Sequence, residues 1–108
     1  IVEVERLKHL IANEKFLNKI FTVKEIQYCN SKRNSLQHFA VRFAAKEAVW
    51  KALGNDNTKL THKDISIKNT KSGKPEVILP SKLKKFVNEI SISLAHTKTL
   101  AIAVAIIK

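Results

Sequence analysis

Leu36-Gln-His-Phe-Ala-Val-Arg-Phe-Ala-Ala-Lys-Glu-Ala-Val-Trp-Lys-Ala-Leu-Gly54 is the stretch that decides the fold of this 108-residue chain. Leu36, Phe39, Phe43 and Trp50 recur at helical intervals. Ala40, Ala44 and Ala48 form a small-residue stripe along which another element can approach closely. Gly54 is a C-terminal stop signal. The spacing predicts one helix over 36–53, the longest in the chain.

Outward from that helix the two halves differ. The only glycines and prolines are Gly54, Gly73, Pro75 and Pro80, so breakers are confined to the second half and the first half reads as helical. Val4, Leu7, Leu10 and Ile11 predict a helix within 3–13, with Arg6 and Lys8 outside its apolar stripe. Phe16, Leu17, Ile20 and Phe21 form a second short apolar turn. Thr22-Val-Lys-Glu25 is a capping-box pattern that opens a helix running to about Cys29. Ser31-Lys-Arg-Asn-Ser35 and Asn55-Asp-Asn-Thr58 read as loops. The period then changes to two. Asp64-Ile-Ser-Ile-Lys68 reads as a half-buried strand, Lys71-Ser-Gly-Lys-Pro75 as a turn, and Glu76-Val-Ile-Leu79 as a second strand. A short helix is expected over 80–87 with Ser81 near its cap, then a strand over 90–94 and a buried strand over 100–107. Helices followed by strands make an α+β fold, with a helical first half and an antiparallel sheet in the second, in a single domain over 1–108.

Composition narrows the function. Lys and Arg total 20 against nine acids, a formal charge of +11, which favours polyanionic partners: nucleic acid, phosphorylated ligands or an acidic protein. Only Arg6, Arg33 and Arg42 are arginines. Where lysine is the default cation, each arginine suggests a need for fork geometry. Cys29 is the single cysteine, which excludes an internal disulfide framework and a cysteine-based zinc site and fits a reducing, cytoplasmic location. It reads as a small core residue or a free thiol. No apolar run approaches the ~20 residues that cross a bilayer, so no membrane role is expected.

Glu47 follows Phe43 by one helical turn, and Lys51 follows Glu47 by another. A carboxylate beside an apolar face suits a hard cation such as Mg²⁺, with the lysine ready for a phosphate or a proton. The plain alternative is an i,i+4 surface ion pair worth roughly 0.3–0.5 kcal/mol. His96-Thr97 lies between two predicted strands, where a histidine can reach a phosphate or a reacting hydroxyl, or simply stand in solvent. Gly73-Lys74-Pro75 can border an anionic ligand or be an ordinary hairpin turn. His9, His38 and His62 share no metal-ligand spacing with acids or cysteine.

Taken together the segments resemble the holo-(acyl-carrier-protein) synthase family, the short bacterial type of 4′-phosphopantetheinyl transferase. The resemblance rests on Ile1-Val-Glu-Val-Glu-Arg6, on Phe21-Thr-x-x-Glu-Ile-x-Tyr-Cys29 with Lys32-Arg33, and above all on Arg42-Phe-Ala-Ala-Lys-Glu-Ala-Val-x-Lys-Ala-Leu-Gly54. Asp64-Ile, Gly73-Lys-Pro75 and Ser93-Leu-Ala-His-Thr97 follow in the expected order. It implies transfer of the 4′-phosphopantetheine arm of coenzyme A to a serine of apo acyl carrier protein, for fatty acid biosynthesis, with release of 3′,5′-ADP. It implies Glu47 as metal ligand for Mg²⁺, and Glu47, Lys51 and His96 as the catalytic set. Arg42, Lys46, Gly73, Lys74, Pro75, His96 and Thr97 then surround the coenzyme. Arg6, with Lys15 and Lys19 extending its patch, meets the acidic carrier protein. Related enzymes are trimers with sites between subunits, so a homotrimer is expected. Three positions depart from the family. Its Gly-Ile-Asp strand, which carries a second metal carboxylate, would stand immediately before Ile1, so the natural protein is expected to carry it and the first strand is expected to be missing here. Ala95 replaces a usual serine, and Asn55-Asp-Asn replaces a glycine-rich loop. The alternatives are a small basic nucleic-acid-binding module, which would be poor in stacking aromatics, and a structural subunit that keeps the fold without catalysis.

Overall fold

The computed structural model describes residues 1–54 and 59–108, so the expected loop over 55–58 lies outside the described residues. Strand β1 (Val2–Glu3) leads into helices α1 (Val4–Ile11), α2 (Glu14–Ile20), α3 (Val23–Asn30) and α4 (Ser35–Leu53). A 3₁₀ turn (His62–Asp64) precedes β2 (Ser66–Asn69) and β3 (Pro75–Ile78), and a 3₁₀ stretch (Ser81–Glu89) precedes β4 (Ile90–His96) and β5 (Leu100–Ile107). The α+β order holds. All strand pairing is antiparallel, in a three-stranded sheet of order β1-β5-β4 and a separate β2-β3 hairpin.

Local chemistry explains most boundaries. Asn13 caps α2 by accepting the Lys15 N–H at 2.9 Å. At α3 the capping box is complete: the Thr22 hydroxyl accepts the Glu25 N–H and the Glu25 carboxylate accepts the Thr22 N–H. Gly54 ends α4 with φ of 57°, a conformation that side chains rarely adopt. Gly73, at φ of 87°, turns the chain between β2 and β3.

α4 lies across the inner face of the sheet. Ala101 of β5 is fully buried, with Ala103 and Ala105 half-buried beside it, and these small residues pack in the same clusters as Ala40 and Ala45 of α4. Small residues on both sides let helix and strand approach at core packing density. Ile90, Ile92 and Leu94 of β4 flank them. Leu7, Phe21, Cys29 and Phe39 fill one end of the core, and Val49, Ile65 and Ile67 fill the other.

Four expectations need correction. Val2–Glu3 is a strand paired with β5, so Glu3 is not helical. Asp64 belongs to a 3₁₀ turn rather than to β2, because its carboxylate accepts the Thr61 N–H at 2.9 Å and folds the chain back. The segment Ser81–Glu89 is 3₁₀ and has no side-chain cap. β5 is buried on one face only: Ile102, Val104 and Ile106 are 43%, 51% and 57% exposed, because a two-residue period aims them away from α4. None of the described helices is long and apolar enough to cross a membrane.

Candidate functional site

The buried centre of the molecule is ionic. Lys46 is fully buried and Glu25 is 3% exposed. The Lys46 Nζ donates to Glu25 Oε1 at 2.7 Å, to the Ile65 carbonyl at 2.7 Å and to the His62 carbonyl at 3.1 Å. Glu25 Oε2 accepts the Ile67 N–H at 3.0 Å. All three ammonium protons are therefore used, and burial still pulls this amine below its ordinary range against the opposing pull of Glu25. Lys46, expected beside the coenzyme, instead ties α3, α4 and the chain entering β2. Its ammonium has no exposed surface, and its three protons are donated within the protein. Cys29 is buried in the same region, and burial pushes its thiol up to about 11, so it is an inert core residue.

Helix geometry then sorts the remaining residues. Successive residues turn by roughly 100°, so Arg42 and Glu47, five apart, point roughly 140° away from each other. Phe43, Glu47 and Lys51 line one cleft with Glu3, Arg6 and Leu100. His38 and Arg42 line a second, with Tyr28, Asn69, Gly73, Pro75 and His96. The volumes are about 400 Å³ and 320 Å³, at the small end for a ligand cleft.

The first cleft joins cations to carboxylates. Arg6 and Lys51 are exposed on its wall. Glu47 is half-buried, and its Oε1 lies 2.8 Å from His62 Nε2. No ion pair joins Glu47 to Lys51 among the described residues, so the i,i+4 surface pair is not what the helix builds. Glu47 Oε2 has no hydrogen bond among the described residues, and Glu3, at the end of β1, lines the same cleft. The free Glu47 oxygen is the hard donor a magnesium-like cation takes, since such a cation binds one or two protein carboxylates and completes its shell with phosphate and water.

The second cleft is cationic. The Arg42 guanidinium is buried 4.1 Å over the Tyr28 ring and donates from Nη2 to Asn69 Oδ1. Its Nε has no hydrogen-bond partner among the described residues. Asn69 in turn donates to the Gly73 carbonyl at 3.0 Å, which holds the β2-β3 turn at the cleft edge. The His38 and His96 rings lie 5.8 Å apart. Burial, then Arg42 and His96, hold the His38 imidazole below its ordinary 6.5.

The structure thus brings together Glu47, Lys51 and Arg6, and separately Arg42, His96, Gly73 and Pro75. It does not place His96 in the cleft of Glu47 and Lys51. Thr97 is a turn residue, its hydroxyl accepting the N–H groups of Thr99 and Leu100. Lys74 is exposed and borders a different depression. Lys15 and Lys19 are exposed on α2, outside both clefts. Sequence reasoning missed Glu25, His38, His62, Tyr28 and Asn69 as site-building residues.

A sequence model of the 4′-phosphopantetheinyl transferase superfamily matches residues 1–105. A holo-(acyl-carrier-protein) synthase of Thermoanaerobacter sp. is 48% identical over 98% of this chain and 81% of its own length. One of Thermodesulfovibrio yellowstonii is 47% identical over 99% of this chain and 92% of its own. Among solved structures, the Helicobacter pylori synthase in complex with coenzyme A superposes with a TM-score of 0.81 at 29% identity, covering 99% of this chain and 95% of that one. The Neisseria meningitidis synthase gives 0.84 at 26% identity, covering 99% and 92%.

Proposed function

Because the chain belongs to the 4′-phosphopantetheinyl transferase superfamily, we propose that it moves the 4′-phosphopantetheine arm of coenzyme A onto a serine of apo acyl carrier protein. The products are holo acyl carrier protein and 3′,5′-ADP. The observation that carries this reading is the 48% identity, over 98% of the chain, to a relative named for that activity. The relatives described carry a synthase's name, and nothing in them favours a nucleic-acid-binding module.

The chemistry follows from the two clefts. The serine Oγ forms a bond to the phosphorus that bears pantetheine, the bond from that phosphorus to the departing 3′,5′-ADP oxygen breaks, and the serine proton must leave. Lys51 brings fixed positive charge to the phosphates, where charge builds as the bond breaks. Glu47, in the cleft that Glu3 also lines, would hold Mg²⁺. That cation, when bound, offsets pyrophosphate charge. Arg42 supplies the positive charge, and His38 and His96, with Gly73 and Pro75 at the rim, complete a polar seat for the nucleotide and its phosphates. His96 is exposed at the end of β4 and is our candidate to accept the serine proton. Arg6, with Lys15 and Lys19 nearby in sequence, faces the acidic carrier protein, whose approach a +11 enzyme accelerates.

The residues assigned to one reaction lie on different sides of α4. A homotrimer reconciles this: the Glu47 cleft of one copy faces the His96 cleft of the next. The outer face of β5, with Leu100, Ile102, Val104 and Ile106 aligned and exposed, is the surface that copies would cover. We place the protein in the cytoplasm and in fatty acid biosynthesis on the same reading. The test is thermal: coenzyme A with Mg²⁺ should raise Tm, and Glu47→Gln should remove the Mg²⁺-dependent part of that rise. A Tm unmoved by coenzyme A would refute the reading.

A further inference from the structure

His62 is held on three sides. Its 3₁₀ turn is closed by Asp64, whose carboxylate accepts from the Thr61 N–H at 2.9 Å and from the Thr61 hydroxyl at 3.1 Å. Its backbone carbonyl accepts from the buried Lys46 ammonium at 3.1 Å. Its ring lies nearly parallel to two aromatic side chains of α4: Phe43, with centroids 5.7 Å apart at 19°, and Trp50, at 6.4 Å and 13°.

Phe43, Glu47 and Trp50 stand at i, i+4 and i+7, one face of α4. A ring stacked along Phe43 and Trp50 therefore covers the helix surface from which Glu47 projects. His62 Nε2 is 2.8 Å from Glu47 Oε1. With Nε2 protonated, the imidazole donates to that oxygen. The ring itself does not line the cleft of Glu3, Arg6 and Lys51, whereas Glu47 does. One carboxylate oxygen is thus engaged from behind, and the other has no partner among the described residues.

We infer that His62 is the positioning residue for Glu47. It fixes the carboxylate rotamer through Oε1 and leaves Oε2 to a divalent cation in the cleft. The inference builds on the metal-ligand reading of Glu47 above. Its physical basis is general: a carboxylate that must rotate into place before binding loses freedom on binding, whereas one already hydrogen-bonded has lost it on folding. The stack and the Lys46 bond give this support its rigidity, and the buried Glu25–Lys46 pair reaches the metal site through the His62 backbone.

Two substitutions separate the hydrogen bond from the packing. His62→Phe keeps an aromatic ring against Phe43 and Trp50 but has no donor. His62→Gln loses the ring but can place an amide N–H near the position of Nε2. Mn²⁺ is titrated into each folded protein and free Mn²⁺ is read by electron paramagnetic resonance, with Glu47→Gln as reference and Tm recorded for each. His62→Phe should weaken Mn²⁺ binding about tenfold or more with coenzyme A affinity in metal-free buffer unchanged, and His62→Gln should restore much of it. Steady-state kinetics should show the same change as a raised KM for Mg²⁺ at nearly constant kcat. Mn²⁺ affinity in His62→Phe equal to or tighter than that of the unaltered chain would overturn the inference, since His62 would then be idle or a competitor for Glu47. Equal losses in both variants would assign the effect to ring packing and also overturn it. If Glu47→Gln itself binds Mn²⁺ normally, the metal-ligand reading fails first, and the two failures are told apart.

Discussion

Replacing Lys46 with methionine tests the assignment of that residue to the interior. The substitution keeps most of the side-chain volume and removes the ammonium. Glu25, 3% exposed, would keep its bonds from the Thr22 and Ile67 N–H groups but lose its charge partner among the described residues. The carbonyls of His62 and Ile65 would each lose a donor. Breaking a buried pair from one side removes about 3–5 kcal/mol, a large part of the roughly 5–15 kcal/mol that stabilises a domain. At about 4 °C per kcal/mol for a domain of this size, Tm should fall by roughly 12–20 °C. Thermal unfolding followed by circular dichroism measures it. The double variant Glu25→Gln/Lys46→Met should lose less than the sum of its singles, because no unpaired charge remains. A single variant within ~1 kcal/mol of the unaltered chain would refute the reasoning. So would a variant of undiminished stability that binds coenzyme A poorly, which would return Lys46 to the ligand site.

Other outcomes follow from the same geometry. Because His38 is held below its ordinary 6.5 when folded, the unfolded chain binds more protons in that window. Stability from this group is full above about pH 6.5 and declines as pH falls through the folded value, so the Tm difference between pH 7.5 and pH 5 should shrink in His38→Gln; an unchanged difference would contradict this. Arg6→Glu should raise KM for the carrier protein while sparing coenzyme A affinity, and equal loss of both would argue against docking. Val104→Lys, on the exposed face of β5, should dissociate the proposed trimer in sedimentation, and an unaltered assembly would move the interface elsewhere.

What the sequence revealed depended on whether the signal was local. α4 was legible because its apolar and alanine positions repeat over 19 residues, and α3 because Thr22 and Glu25 are capping partners three apart. The Asp64 turn carried a similar signal, Thr61-x-x-Asp64, masked by the alternation of Ile65 and Ile67 that follows. β1 spans two residues and has no period to read. β5 hid its two faces because every residue from Leu100 to Ile107 is apolar; only the alternation of large side chains with Ala101, Ala103 and Ala105 marks them. Lys46 adjoins Glu47 in sequence and looks like part of a charged surface, yet its partner Glu25 is 21 positions away. His62 meets Glu47 from 15 positions away with no periodic relation to it. The division of the site between two clefts was present in the five-residue step from Arg42 to Glu47.

The central claim is the transfer reaction, and the mass of the acceptor tests it most directly. Apo acyl carrier protein is incubated to end point with coenzyme A, Mg²⁺ and this protein, beside a reaction containing Glu47→Gln. The account predicts that the carrier protein gains the mass of one 4′-phosphopantetheine group, with 3′,5′-ADP released in equal amount, and that the Glu47→Gln reaction lags far behind. A carrier protein of unchanged mass, in the presence of folded protein that binds coenzyme A, would contradict it.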